Sequence, residues 1–240
     1  MTEDLTRMYP SNSGLVITFI DGHGIVGCPP CIENHTQALE STTAVLPRAV
    51  DYINSHVVDG VLVCCFSDHP LVYALRDLFD LPIIGIFQAA LEEATEAGGR
   101  FGIVTTVHAW EDPLTDSINH LGFGEYSAGI AATGLGVLEL ESLERGVVVE
   151  RICSFSKRLI DNGAKSIILG CAGMTPLERD IRAGLPTTIT TIDGVRSGIS
   201  ILTRLAGKKD ALDAATCTDD AKNTCTIEKT KLTSKVGKVF

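Results

Sequence analysis

One pattern occurs twice in the chain. GVLVCCFSDHP (Gly60–Pro70) and SIILGCAGMTP (Ser166–Pro176) each run an apolar stretch into a cysteine, then small or polar residues, then proline. A short, continuous apolar run rich in β-branched residues and ended by such a break reads as a strand buried on both faces. Strands of that kind belong to parallel sheets, and a parallel sheet needs a helix over each face. Two copies of the unit, set far apart, predict two α/β halves of one kind.

The rest of the sequence follows the same alternation. Leu15–Ile20, Val58–Phe66, Leu81–Phe87, Phe101–Thr106 and Ser166–Cys171 read as buried strands. Between and after them, Thr36–His56, Pro70–Phe79, Gln88–Ala97, Pro113–Leu121, Leu143–Asn162, Pro176–Ala183 and Gly194–Leu205 read as helices, the third stopped by Gly98–Gly99. The expected fold class is α/β: two similar domains with parallel-rich central sheets flanked by helices. GGRFGIVTT (Gly98–Thr106) opens the second unit. The first domain then takes 1–97 plus 194–207, the second takes 98–193, and 208–240, polar and rich in Thr, Lys and Asp, reads as a poorly ordered tail.

Composition narrows the function. The formal net charge is −10, and the Gly207–Phe240 stretch is itself basic, so the body is more acidic still. Such a surface repels phosphate backbones and anionic lipid, which argues against nucleic-acid and membrane partners. No apolar run approaches the ~20 residues of a membrane span, and the opening residues lack a secretory signal. Eight cysteines in 240 residues are too sparse for a disulfide scaffold. A cytoplasmic protein with reduced thiols is expected.

The two strand-end thiols are the chemical signal. Ligands of open parallel sheets bind beyond the carboxyl ends of strands, where Cys65 and Cys171 fall. Each precedes a helix start. Ser67 or Asp68 can cap the helix near Pro70. Thr175 can cap the other, with Pro176 in its first turn and Glu178 completing a capping box. Helix dipoles would then favour thiolate at both sulfurs. Cys64 alternates to the other side of its strand and reads as packing. Two thiols facing one site suit inversion of a stereocentre beside a carbonyl: one takes the proton, the other returns a proton to the opposite face. Backbone N–H groups in FSD and AGM, after each cysteine, can hold the enolate oxygen. No cofactor or metal is required.

At these residues the chain resembles the aspartate/glutamate/hydantoin racemase superfamily, and within it the hydantoin and allantoin racemase branch. The matching pieces are CFSDH at Cys65–His69, FGIVTT at Phe101–Thr106, ILGCAGM at Ile168–Met174 and TIDGV at Thr191–Val195, with GIFQAA at Gly85–Ala90 and IEN at Ile32–Asn34. The resemblance covers about Met1–Ala206. It implies domains related by a pseudo-twofold, with the active site in the cleft between them. It implies racemisation by Cys65 and Cys171 without a cofactor, a small-molecule substrate, and a pocket built from Phe66, Ser67, Thr105, Thr106, Ala172 and Gly173. A homo-oligomer is expected. The substrate implied is allantoin or a 5-substituted hydantoin. Amino-acid racemisation, enolate isomerisation or decarboxylation, and ligand binding without turnover are the alternatives. Members of this branch usually open with a strand that this chain is expected to lack, and KVGKVF (Lys235–Phe240) is a conceivable filler of the vacant place.

Other motifs read more plainly. CPPC (Cys28–Cys31) could be a redox pair or half of a zinc site, but it follows a glycine-rich loop and no second ligand pair is evident, so a surface-loop dithiol is preferred. His69 could pair with Cys65, although a helix-start histidine facing solvent is the commoner case. His23 and His108 lie in loop-like segments near strand ends. Trp110 reads as packing at a helix start. GLGVLE (Gly134–Glu139) lacks the third glycine of a dinucleotide loop. Glu139, Glu141 and Glu144 read as a solvated face.

Overall fold

Both halves of the chain build a parallel sheet. The computed structural model describes Tyr9, residues 14–219 and residues 234–239. The first half runs β1 (Leu15–Ile20), α1 (His35–Ser55), β2 (Gly60–Val63), α2 (Pro70–Leu78), β3 (Ile83–Gly85) and α3 (Ile86–Ala97). The second runs β4 (Arg100–Thr105), α4 (Glu111–His120), β5 (Ser127–Ala132), α5 (Glu139–Ser142), α6 (Arg145–Asp161), β6 (Ala164–Gly170), α7 (Glu178–Ala183) and β7 (Thr190–Asp193). Helix α8 (Gly194–Asp219) and strand β8 (Ser234–Val239) return to the first half. The sheets have orders β1-β8-β2-β3 and β5-β4-β6-β7, and every strand pairing is parallel.

Matched by position, β8 corresponds to β4, β1 to β5, β2 to β6 and β3 to β7. The third strand of each sheet is the one that runs into a candidate cysteine. The central place that β4 fills at the start of its unit is filled in the first sheet by β8, the last strand of the chain. β8 pairs with β1 from Leu15↔Ser234 to Ile20↔Val239 and with β2 from Gly60↔Val236 to Val63↔Val239. The expected tail is therefore corrected: α8 continues past Leu205 to Asp219, and Ser234–Val239 lies in the sheet. Residues 220–233 and Phe240 lie outside the described residues.

Two strands went unpredicted, for a physical reason. SAGIAA (β5) is mostly small residues, and TTID (β7) is half threonine, so neither carries the apolar signal of a buried strand. Both lie at sheet edges, where less burial is required of them.

Packing joins the two sheets. The outer face of the first carries Val61 and Val63 against α1 and α2. The outer face of the second carries Val104, Ile167 and Leu169 against Val148 and Ile152 of α6. The inward side chains of both, Leu62 and Ile84 from one and Phe101, Ile103 and Ile168 from the other, share a single core with α3 and α8. Alternation along each strand sorts these residues. Asp193 starts α8, its Oδ1 accepting from the N–H of Val195 (2.8 Å) and of Arg196 (3.1 Å).

α8 can lie this close only because of two glycines. A Cβ on Gly194 would stand 2.4 Å from the carbonyl oxygen of Ile86, and one on Gly198 would stand 2.3 Å from Leu62 Cδ1. Gly198→Ala should therefore lower the unfolding free energy by about 1–3 kcal/mol, the usual cost of overpacking, despite alanine's better helix propensity. Urea denaturation checks this: the midpoint falls with an unchanged slope, and an unchanged or higher midpoint refutes the close-packing account.

Candidate active site

The carboxyl ends of both sheets open onto one cavity of about 320 Å³. Its walls come from segments that follow β1, β2, β4, β5 and β6. Cys65 and Cys171 both line it, with Phe66, Thr106, Ala172 and Gly173 from the expected set. The strand order places them well: Cys65 follows β2 beside β8, and Cys171 follows β6 beside β4, the points where successive crossovers diverge.

The two sulfurs have matching surroundings. Cys65 Sγ shares a hydrogen bond with the hydroxyl of Ser67 at 3.4 Å, and Cys171 Sγ accepts from the N–H of Gly173 at 3.4 Å. In each case the partner lies two residues on, as expected of equivalent turns. Each cysteine is reachable through the cavity, yet its sulfur sits deep in protein. Burial pushes the Cys65 thiol up to about 12; Ser67 works against this, and the nearby Cys171 adds to it. Burial pushes Cys171 up to about 11; the Gly173 N–H works against this, and Glu141 and Glu33 add to it. The expected stabilisation of thiolate by helix starts is outweighed by desolvation. At neutral pH both sulfurs are thiols.

Several expected roles change. Ser67 is buried beside Cys65 but is not among the lining residues. Thr105 is buried with its hydroxyl donating to the Gly170 carbonyl at 3.0 Å, so it braces β4 against β6 rather than facing the cavity. The N–H groups of Ser67, Gly173 and Met174 are engaged locally, with Cys65 O, Cys171 Sγ and Cys171 O. They are not free for an oxyanion in this state. His69, not Ser67 or Asp68, caps α2: its Nδ1 accepts from the Leu71 N–H at 3.3 Å. It is fully buried rather than facing solvent, and burial lowers its pKa to about 4. Asp68 instead accepts from the Tyr73 hydroxyl at 2.7 Å. Thr175 does not start its helix, because a 3-10 turn already spans Ala172–Leu177 with Cys171 as its cap. Glu178 is buried against Arg182 (3.5 Å) and Arg196 (3.4 Å). Cys64 is packed in the shared core and also borders the cavity.

Part of the remaining wall, Ile32, belongs to the IEN piece that the resemblance implies to be a substrate-side loop; the rest escaped sequence reading. Cys28, Cys31 and Ile32 come from the loop after β1, Val137, Leu138 and Glu141 from the segment after β5, and Trp110 from the 3-10 turn before α4. Burial raises the Cys28 and Cys31 thiols, so the pair is not activated. The described residues contain no group of three His, Cys, Asp or Glu placed to hold a metal.

The wall after β5 is pinned from below and from across the cleft. Thr133 N–H and hydroxyl donate to the Thr105 carbonyl at 2.9 and 3.0 Å, and Gly134 N–H donates to the Thr106 carbonyl at 2.8 Å. From the first half, Glu33 Oε1 accepts from the Val137 N–H at 2.9 Å. Gln37 holds Glu33 in turn, its Oε1 accepting from the Glu33 N–H at 2.7 Å.

The family model described as Asp/Glu/Hydantoin racemase matches residues 1–202. An uncharacterized protein of Schizosaccharomyces pombe is 37% identical over 184 residues, covering 74% of this chain and 76% of that protein. A hydantoin racemase of Rhizobium meliloti is 30% identical over 150 residues, covering 62% of this chain and 61% of that enzyme. Among solved structures, the allantoin racemase from Klebsiella pneumoniae superposes with a TM-score of 0.70 at 30% identity, covering 77% of this chain and 74% of that one. Among the described residues no helix is long and apolar enough to cross a membrane.

Two measurements test this geometry. An ordinary thiol loses its proton near pH ~8.5. Residue-resolved iodoacetamide labelling of Cys65 and Cys171 should keep accelerating beyond pH ~9, because thiolate forms only at higher pH. A plateau at either site below that refutes the buried-thiol state. Glu33→Ala should speed hydrogen exchange at the Val137 amide about 5–10-fold, the loss of one hydrogen bond, while Glu33→Gln, whose amide oxygen still accepts, should change it little. Equal exchange in both variants refutes the clasp.

Proposed function

This chain belongs to the Asp/Glu/hydantoin racemase family, and from that premise we propose that it inverts the C5 stereocentre of a hydantoin by proton transfer between Cys65 and Cys171. The observation that carries the reading is the single cavity onto which both cysteines open, each at the same place in its own sheet. The C5 hydrogen of a hydantoin lies beside the C4 carbonyl. One thiolate removes it, and the electron pair moves into an enolate on the carbonyl oxygen. The thiol on the other face then delivers its own proton to C5 and becomes the thiolate. The ring leaves inverted, and the two sulfurs have exchanged roles.

The charge state fits this exchange. The chemistry needs one thiolate and one thiol, and the charge on either sulfur disfavours ionisation of the other. The resting enzyme holds both as thiols, so a proton must leave before or during binding, and kcat/KM should rise with pH across the neutral range.

The lining also supports a hydantoin over a free acidic amino acid. Among the described residues that line the cavity there is no Lys, Arg or His, and Glu141 is the only carboxylate. Aspartate or glutamate carries two carboxylates against one ammonium, and its net negative charge would meet Glu141 with no Lys, Arg or His among the described lining residues to offset it. A neutral ring makes no such demand, and its size suits a small cavity.

The test is racemisation of single-enantiomer allantoin and 5-methylhydantoin in heavy water, followed by circular dichroism and NMR. Wild type should racemise with deuterium appearing at C5. Cys65→Ser and Cys171→Ser should each lower kcat/KM by about 10²–10⁴-fold. Undiminished racemisation in either variant overturns the two-thiol assignment. Inversion without deuterium uptake overturns the proton-transfer reaction.

A further inference from the structure

The reaction leaves one charged group of the cavity without a part. Glu141 lies on the four-residue helix α5, next to buried Leu140, and is itself exposed at the cavity wall. Its carboxylate has no hydrogen bond or ion pair among the described residues. Its two acidic neighbours are both engaged: Glu139 Oε2 accepts from the Gly136 N–H at 2.6 Å, and Glu33 is held by Val137. Glu141 and Cys171 line the same cavity, and the carboxylate's charge works against ionisation of that thiol. The wall around it, Ile32, Trp110, Val137 and Leu138, is mainly apolar.

An unpaired carboxylate in such a wall discriminates between substituents. A group with N–H donors replaces the water that binding strips from the carboxylate and gains a charge-assisted hydrogen bond. An apolar group leaves that hydration unreplaced. A carboxylate group is repelled, and among the described residues no cation in the lining offsets the repulsion.

We propose that Glu141 is a specificity-determining residue, selecting hydantoins whose C5 substituent carries N–H donors, such as a ureido or amino group, over those whose substituent is anionic. The inference rests on the hydantoin-racemase reading above. It assigns Glu141 contact with the substituent, remote from the reacting C5 atom.

The experiment measures kcat/KM for allantoin (ureido donor), 5-methylhydantoin (no donor, no charge) and hydantoin-5-acetate (anion), with wild type, Glu141→Gln and Glu141→Lys. Wild type should prefer allantoin to hydantoin-5-acetate. Glu141→Gln should shift that ratio toward the anion about tenfold, the scale of one unscreened charge a few ångströms away at intermediate dielectric, and Glu141→Lys should shift it further. A merely structural role for Glu141 would scale all three substrates together and leave the ratio unmoved. If wild type racemises these hydantoins but the ratio moves less than about twofold in both variants, the Glu141 assignment falls and the racemase reading stands. If wild type racemises none of the three, both fall.

Discussion

The contact between α8 and the first sheet is the constraint on which the remaining structure depends. Gly194 lies against the backbone of Ile86 and Gly198 against Leu62, so α8 packs directly onto the start of α3 and onto β2. The inward faces of both sheets then share one core. Two domains with separate cores can hinge freely, but two sheets that bury the same side chains cannot part without exposing them. The carboxyl ends of β2 and β6 are thereby held around one cavity. At the rim, the bond from Val137 N–H to Glu33 ties the segment after β5 to the loop after β1.

Desolvation governs the chemistry of that cavity. A thiol can be kept neutral by burial alone, and here burial exceeds every other influence on Cys65 and Cys171. This protects the resting site, since thiols are poorer nucleophiles than thiolates and less readily oxidised. In the proposed reaction it would also raise the free energy needed to form the thiolate base, and the same low dielectric would strengthen each hydrogen bond to an enolate oxygen. The local turns already engage the Ser67, Gly173 and Met174 N–H groups. In the proposed reaction, oxyanion binding would therefore require either other donors or a rearrangement of one of these turns.

Much of this arrangement was legible from residues alone. The runs ending at Cys65 and Cys171 were strands because continuous apolar, β-branched stretches have few alternatives to a buried sheet. The turn after each was equally clear. What failed were inferences about which small polar group satisfies which backbone atom. Ser67, Asp68 and His69 can all cap a helix; His69 does so, while Ser67 pairs with Cys65 and Asp68 with Tyr73. Thr105 ends β4 and Thr106 begins the turn beyond it; only the position of Gly170 decides that Thr105 is the brace. β5 and β7 are built of small residues and threonine, which lack a periodic apolar signal, whereas KVGKVF, a conceivable filler of a vacant strand place, does contribute Lys235–Val239 to the first sheet.

The sequence by itself determined the α/β class, the repeated strand–cysteine–helix unit and the acidic character of the chain, because these follow from local pattern and composition. Tertiary structure decided that β8 occupies the centre of the first sheet, that loops after β1 and β5 complete the cavity, and that both thiols are neutral. Each of those depends on distances between residues remote in the chain: strand pairing is chosen by a partner's unpaired backbone, and a thiol's proton affinity by how much water the surrounding protein removes.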